Sequence, residues 1–595
     1  MKFFSLNLTK FSCALALGSM LHVGAAMAQE TKAPEAPAKA EAPAAATAPA
    51  ATPAPKLPAY FSGANEDPQK PAWPDATGAA SGVWATPAAD AKGDIPDQLK
   101  STDLYDRIVH NMYSINYVWV LIAGFLVMFM QAGFMMVETG LCRAKNAAHT
   151  AAMNFMVYPL GCLAFWVYGF GIGWGNWFNG PVAPGWYASL GPGLSALNEG
   201  LGIGAALDAA GKATGAFTYG LIGTKGFFLG SGVGDVSVMA LFFFMMVFMD
   251  TTATIPTGAM AERWAWKNFM LFGLWVALPY CLYANWVWGG GFLAQGGINW
   301  GLGHGAVDFA GSGVVHAMGG IIALAGAMIL GPRIGKYDAQ GRARAIPCHN
   351  VPMVIVGTFV LAFGWFGFNP GSTLSGTDLR ISYVVVNTML AGIMGAIGAY
   401  VAMMLKGMKP DPTMLCNGML AGLVAITAPC AFVDPWAAAV IGGIGGILVI
   451  YAVFFWEARG IDDPAGAISV HGVNGTWGVI SLGIFANGAY GAGWNGVVRD
   501  SFVKTYGSDG VRGLLYGDFS QFIMQLINAG VVLVFGFVMA YVWFKVSDLI
   551  TPIRVSKDVE IEGLDVAEVG IPGYNDMPEA EKHLGYGTAT MQKSA

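Results

Sequence analysis

Long apolar runs separated by short polar breaks dominate the chain. Eleven runs of spanning length stand near 114–137, 149–174, 236–260, 268–289, 309–331, 351–370, 382–405, 413–431, 435–456, 466–487 and 518–546. About 20 apolar residues in a helix cross the roughly 30 Å hydrocarbon core of a bilayer. A shorter run, Phe11 to about Val23, follows Lys2 and Lys10 and precedes Ala26-Met27-Ala28. Positive charge, a short apolar stretch and an A-x-A site together read as a secretory signal. Residues 29–57 are almost wholly Ala, Pro, Glu, Lys and Thr, a composition that cannot bury a core. The pattern predicts an all-α polytopic membrane protein with 11 transmembrane helices after signal cleavage. Its expected parts are a signal peptide (1–28), an Ala/Pro-rich extracytoplasmic arm (29–112), a five-helix block (113–335), a second block (345–490), an eleventh helix (517–548) and a cytoplasmic tail (549–595).

Composition narrows the class. Hydrophobic residues are 55% of the 595 and charged residues 11%, against about 25% charged in soluble domains. The net charge is −6 with no basic block, which excludes a nucleic-acid partner. The 83 glycines suit close helix packing in lipid. The cysteines are scattered, mostly in apolar runs, with no C-x-x-C, and read as packing residues. Loop charges set the orientation. Eleven Lys and Arg fall in the expected cytoplasmic loops, among them Arg143, Lys145, Arg263, Arg333 and Arg459. The longer outer loops hold six. This positive-inside bias puts the N-terminus in the periplasm and the C-terminus in the cytoplasm of a bacterial inner (plasma) membrane.

The runs also repeat. Asp308 to Gly320 and Asp463 to Gly475 share D-x-A-G-x-x-x-V-H-x-x-x-G at an offset of 155. They stand on the fifth and tenth runs, so the second copy crosses the membrane in the opposite sense. That is the signature of two inverted repeats with a midplane site. His316 and His471 are then related by a pseudo-two-fold axis. Ionisable residues at membrane depth face an interior or a cavity. Two imidazoles in contact share a proton and offer a polar path through an apolar lumen. Asp308 and Asp463 stand eight residues before each His, about two helical turns, and read first as anchors of local backbone. Pro464 suits the first position of a helix. Asp308 also biases the outer mouth.

Aromatic residues gather on the outer halves of the runs: Phe242, Phe243, Phe244 and Phe248, Trp288, and Trp365, Phe366 and Phe368 before Ser372. Phe244 and Phe248 are i and i+4 and share a face. Converging on one mouth they would form a cation–π cage, with Ser372 adding a hydroxyl acceptor.

At these residues the sequence resembles the ammonium transporter (Amt/Mep/Rh) family, of bacterial Amt type. The carriers are Asp308 to Gly320, Ala259-Met-Ala-Glu262-Arg263, Trp288-Gly-Gly-Gly, Phe368-Asn-Pro-Gly-Ser372 and Asp462-Asp463-Pro. The resemblance covers about 113–574 and implies specific roles. Phe244, Phe248, Trp288 and Ser372 would recruit ammonium. Phe248 and Phe368 would gate the pore. His316 and His471 would line it, and Asp308 would support the outer mouth. It implies ammonium, ammonia and methylammonium as substrates and a homotrimer with one pore per subunit. The tail Arg554 to Tyr574 resembles one that contacts neighbouring subunits, which makes a PII-type protein an expected regulator. Val569 departs from that pattern, where a polar residue is usual. No enzymatic activity, cofactor or metal is expected. Two readings stay open beside transport: an ammonium sensor signalling through its tail, and a Rh-like gas channel. Haem ligation by the His pair is weaker, since no second pair or quinone-type site is evident.

Overall fold

The computed structural model describes residues 101–175, 187–191, 194, 197, 220–230, 232–489 and 510–574. The expected signal and most of the arm lie outside the described residues. Helices stand at all eleven expected positions. They are α1 (Ser101–Leu141), α2 (Ala144–Trp174), α3 (Val236–Met260), α4 (Trp266–Val287), α5 (Ser312–Leu330), α6 (Val351–Thr373), α7 (Ile381–Leu405), α8 (Pro412–Ile426), α9 (Pro435–Ala458), α10 (468–485) and α11 (Phe519–Ile550). A short tail helix, α12, spans Lys557–Glu562. Nine of these are long and apolar enough to cross a membrane. The described residues form no sheet, only isolated bridges.

The boundaries follow from local chemistry. Asp235, Asn350, Asp411 and Asp518 each accept a backbone N–H in the first turn of α3, α6, α8 and α11. Pro352, Pro412 and Pro435 sit in first turns, where no N–H is needed. Three boundaries differ from expectation. α1 is already helical at Ser101, the first described residue and well inside the expected arm, because no Pro or Gly interrupts residues 101–123. α8 ends at Ile426, because Pro429 excludes a longer helix. Pro464 lies in a turn ahead of α10, and the helix begins nearer Ile468.

Glycine sets the helix spacing. Gly446 on α9 lies so close to α7 that a Cβ there would fall 1.9 Å from the Gly395 carbonyl. The α1–α6 pair is reciprocal. A Cβ on Gly133 would meet Leu361 and the Gly357 carbonyl, and one on Gly364 would meet Met130 and the Leu126 carbonyl. Gly140 approaches Val354 as Gly371 approaches Ala123. One displacement along the chain thus carries 123 to 354, 126 to 357, 130 to 361, 133 to 364 and 140 to 371. α1 and α6 are equivalent elements of the two blocks, as α5 and α10 are. α3 and α5 are the most enclosed spans, and α9 and α11 are among the least.

Candidate functional site

Both histidines stand on a widened turn. Ser312–Ala317 and Ile468–Val473 are π-helical, an irregularity that often marks functional positions. Each turn is held from its N-terminal side by an aspartate. Asp308 accepts from the N–H groups of Gly311 at 3.0 Å, Gly313 at 2.8 Å and Val314 at 2.9 Å. Asp463 accepts from Ala467 at 3.0 Å and Ile468 at 2.7 Å. Both carboxylates act as backbone anchors, and Asp308 is fully buried. Gly320 and Gly472 let the two turns meet, since a Cβ on Gly320 would lie 2.0 Å from the Gly472 nitrogen.

The rings form one continuous column. Phe244 and Phe248 are 4.6 Å apart between centroids. Phe248 stacks on Phe368 at 4.0 Å and 22°. His316 lies 5.3 Å from Phe368 and 5.3 Å from Trp365. The His316 and His471 rings are 5.2 Å apart, with their Nδ1 atoms at 3.1 Å. Phe134 then lies 5.9 Å from His471. One Nδ1 donates and the other accepts, so in a neutral pair one Nε2 carries a hydrogen and the other a lone pair. The pair therefore presents one donor and one acceptor along an apolar path.

Trp288 closes the Phe248 end of the column. Its ring is 6.1 Å from Phe248, and its Nε1 donates to the Asp308 carbonyl at 2.7 Å. Ser372 Oγ donates to the Phe368 carbonyl at 2.7 Å, which leaves its lone pairs for an N–H of a ligand. Phe242 and Phe243 do not join them. Phe242 packs on Phe165 and Phe170, and Phe243 on Phe125. Trp365 and Phe134 flank the histidines. The register between α1 and α6, which pairs these two positions, comes from the helix contacts and not from the sequence.

The end of the bundle where α3, α5 and α9 finish is laced by charge. Glu262 meets Arg143 at 2.5 Å and Arg333 at 3.4 Å, and Arg333 meets Asp462 at 2.8 Å. Arg263 Nη2 donates to the Asp462 carbonyl at 2.7 Å. Burial acts to raise the Glu262 and Asp462 carboxyls, but the facing guanidiniums hold both below the usual range. The tail folds against this end. Lys145 donates to the Glu560 carbonyl and Ile334 N–H to Glu560 Oε1. The His149 N–H donates to Asp565 and the Trp266 N–H to Glu568. His349 Nε2 and the Tyr574 hydroxyl are 2.8 Å apart.

A helical bundle with an internal two-fold and an apolar ring-lined column has the form of a membrane transport protein. Residues 118–574 match the model of the Ammonium Transporter Family, and the chain belongs to that family. It is 44% identical over 473 residues to ammonium transporter Amt2 of Archaeoglobus fulgidus, covering 79% of this chain and 90% of that one. A putative ammonium transporter of Synechocystis is 33% identical, over 77% of this chain and 74% of its own. Among solved structures, a sensor Amt protein superposes with a TM-score of 0.62 at 32% identity, covering 77% of this chain and 99% of that chain. Mep2 of Candida albicans gives 0.61 at 26% identity, covering 80% and 94%.

Proposed function

We propose that the chain carries ammonium across a bacterial inner membrane, as ammonia released from an ammonium ion recruited at the outer mouth. The observation that carries this reading is the ring column, in which a stacked Phe pair stands directly above two histidines in Nδ1 contact. A bare ammonium in hydrocarbon costs on the order of tens of kcal/mol by Born estimates. A selective path therefore recruits the cation and then separates its proton. Phe244, Phe248 and Trp288 hold it by their faces, and Ser372 accepts one of its N–H groups. Phe248 and Phe368 gate the lumen. The proton leaves at that gate, and ammonia passes His316 and His471 by exchanging hydrogen bonds with the imidazoles. Asp308 keeps the turn bearing His316 in place.

Around this pore we assign eleven crossings after signal cleavage, a periplasmic N-terminus, a cytoplasmic tail and a homotrimer with one pore per subunit. A PII-type protein is the proposed regulator at the tail. Methylammonium uptake in cells carrying H316A/H471A tests the mechanism. Uptake is expected to fall at least tenfold, and unchanged uptake would remove the histidines from it. The likeness to a sensor Amt protein favours one second reading, in which bound ammonium is reported through the tail. Robust uptake by the intact chain argues for transport, and ammonium binding without uptake argues for the sensor.

A further inference from the structure

Two buried carboxyls within the spans, Glu138 on α1 and Asp250 on α3, have no part in the pore as assigned above, and Glu138 is the one set beside the column. Glu138 lies near the inner end of α1 and is only 3% exposed. A carboxyl at membrane depth is costly, and where it persists facing an interior it marks an ion or proton route. Its setting is built from three helices. Glu138 Oε2 accepts from Asn154 Nδ2 on α2 at 2.7 Å and from Thr257 Oγ1 on α3 at 2.7 Å. Thr254 Oγ1 donates to Asn154 Oδ1 at 2.9 Å, which fixes the amide. Oε1 lies beside Gly258, where α3 meets the approach to α10. A Cβ on Gly258 would lie 2.8 Å from the Ala465 Cβ and 3.0 Å from Oε1.

The site is one turn from the pore. Phe134, whose ring lies 5.9 Å from His471, precedes Glu138 by four residues on α1. Glu138 is thus about 6 Å further along the axis toward the inner face. The α1–α6 equivalence gives a second, independent observation. The displacement that carries Gly133 to Gly364 also carries Phe134 to Trp365, and these two rings flank His471 and His316 in turn. It carries Val137 to Phe368 and Glu138 to Asn369. Asn369 directly follows the outer gate ring and is buried. Glu138 therefore holds, at the inner mouth, the place that Asn369 holds at the outer gate. The inner copy has an aliphatic residue where the outer has a gate ring, and a carboxyl where the outer has an amide.

From this geometry we infer that Glu138 accepts the proton passed through the His316–His471 pair and returns it to ammonia at the inner mouth. The inference rests on the ammonium reading above and deepens it. In the first step an N–H bond of protonated His471 breaks, its electron pair stays on nitrogen, and an O–H bond forms on Glu138 through bridging water. In the second step that O–H bond breaks and an N–H bond forms on ammonia, regenerating ammonium and the carboxylate. No electron is transferred. Asn154 and Thr257 hold the carboxyl in place.

The test uses proteoliposomes of the full chain, with sustained current after an ammonium jump and ammonia flux read separately as total uptake of labelled methylammonium, which counts the substrate whether or not its proton comes with it. E138Q keeps an acceptor for Asn154 and Thr257 but cannot cycle a proton. Its current is expected to fall at least tenfold with ammonia flux within twofold of wild type. E138D is expected to restore at least a third of the current. An E138Q current equal to wild type overturns the inference and leaves the ammonium reading standing. Parallel loss of current and flux in E138Q, without rescue by E138D, overturns it in favour of a structural role. Wild-type flux without current overturns it as well. Wild type with neither flux nor current overturns the ammonium reading itself.

Discussion

At the scale of single residues, the outer cage and the His pair make separable demands. Trp288 contributes an aromatic face beside Phe248, and its Nε1 is already committed to the Asp308 carbonyl. Losing one partly desolvated cation–π face costs about 1 kcal/mol. W288L should therefore raise the half-saturation for methylammonium about fivefold while leaving the maximal rate within twofold, measured by concentration-dependent uptake. A fall in maximal rate alone would place Trp288 in the gate instead. The histidines and Asp308 were legible in the sequence because the repeat aligns them without a gap. Phe134 was not, because its ring reaches His471 only through helix packing, and one aromatic in an apolar run looks like any other. Phe243 shows the converse: it is adjacent to Phe244 in sequence, yet it turns toward Phe125.

At the scale of elements, the site depends on how closely two irregular turns approach. Gly320 faces backbone of the opposite turn, so any side chain must push the turns apart. Such overpacking costs roughly 1–3 kcal/mol. G320V should open the His316–His471 contact and lower uptake at least tenfold while the protein remains folded, as judged by size-exclusion chromatography in detergent. The inner ends are fastened differently, by Arg333 between Glu262 and Asp462. Both carboxyls are held below their ordinary values near 4. Their contribution to stability is present above that range and is lost as pH falls through it. Thermal unfolding in detergent should show a melting temperature that declines below about pH 4. R333A removes one partner of a buried pair, costs about 3–5 kcal/mol, and should flatten that acid dependence. The apolar runs located α1 to α11 but not the tail helix α12, since a run of apolar residues in lipid has few alternatives to helix and α12 has no such run. They misplaced ends wherever a polar residue continues a helix, as at Ser101, or a proline stops one early, as at Pro429. The inner charge lacing could not be read from the run pattern, because its members lie far apart in sequence.

At the scale of the whole molecule, charge is segregated from the ring column. The ring column carries none of the lacing, which gathers at the inner ends with the tail. The tail reaches the starts of α2, α4 and α6 through Lys145, Trp266 and His349, and the exit of α5 through Leu330 and Ile334. None of these contacts involves Phe248, Phe368, His316 or His471. Truncation after Val555 should therefore leave the pore intact while loosening the inner ends. Methylammonium uptake is expected to fall severalfold without being abolished, and the melting temperature to drop. A truncated chain that is folded yet wholly inactive would mean that the tail sets the conducting state. This experiment separates regulation through the tail from conduction through the bundle. If the truncated chain transports and a PII-type protein no longer changes its rate, recruitment, gating and conduction belong to the bundle and regulation to the last forty residues or so.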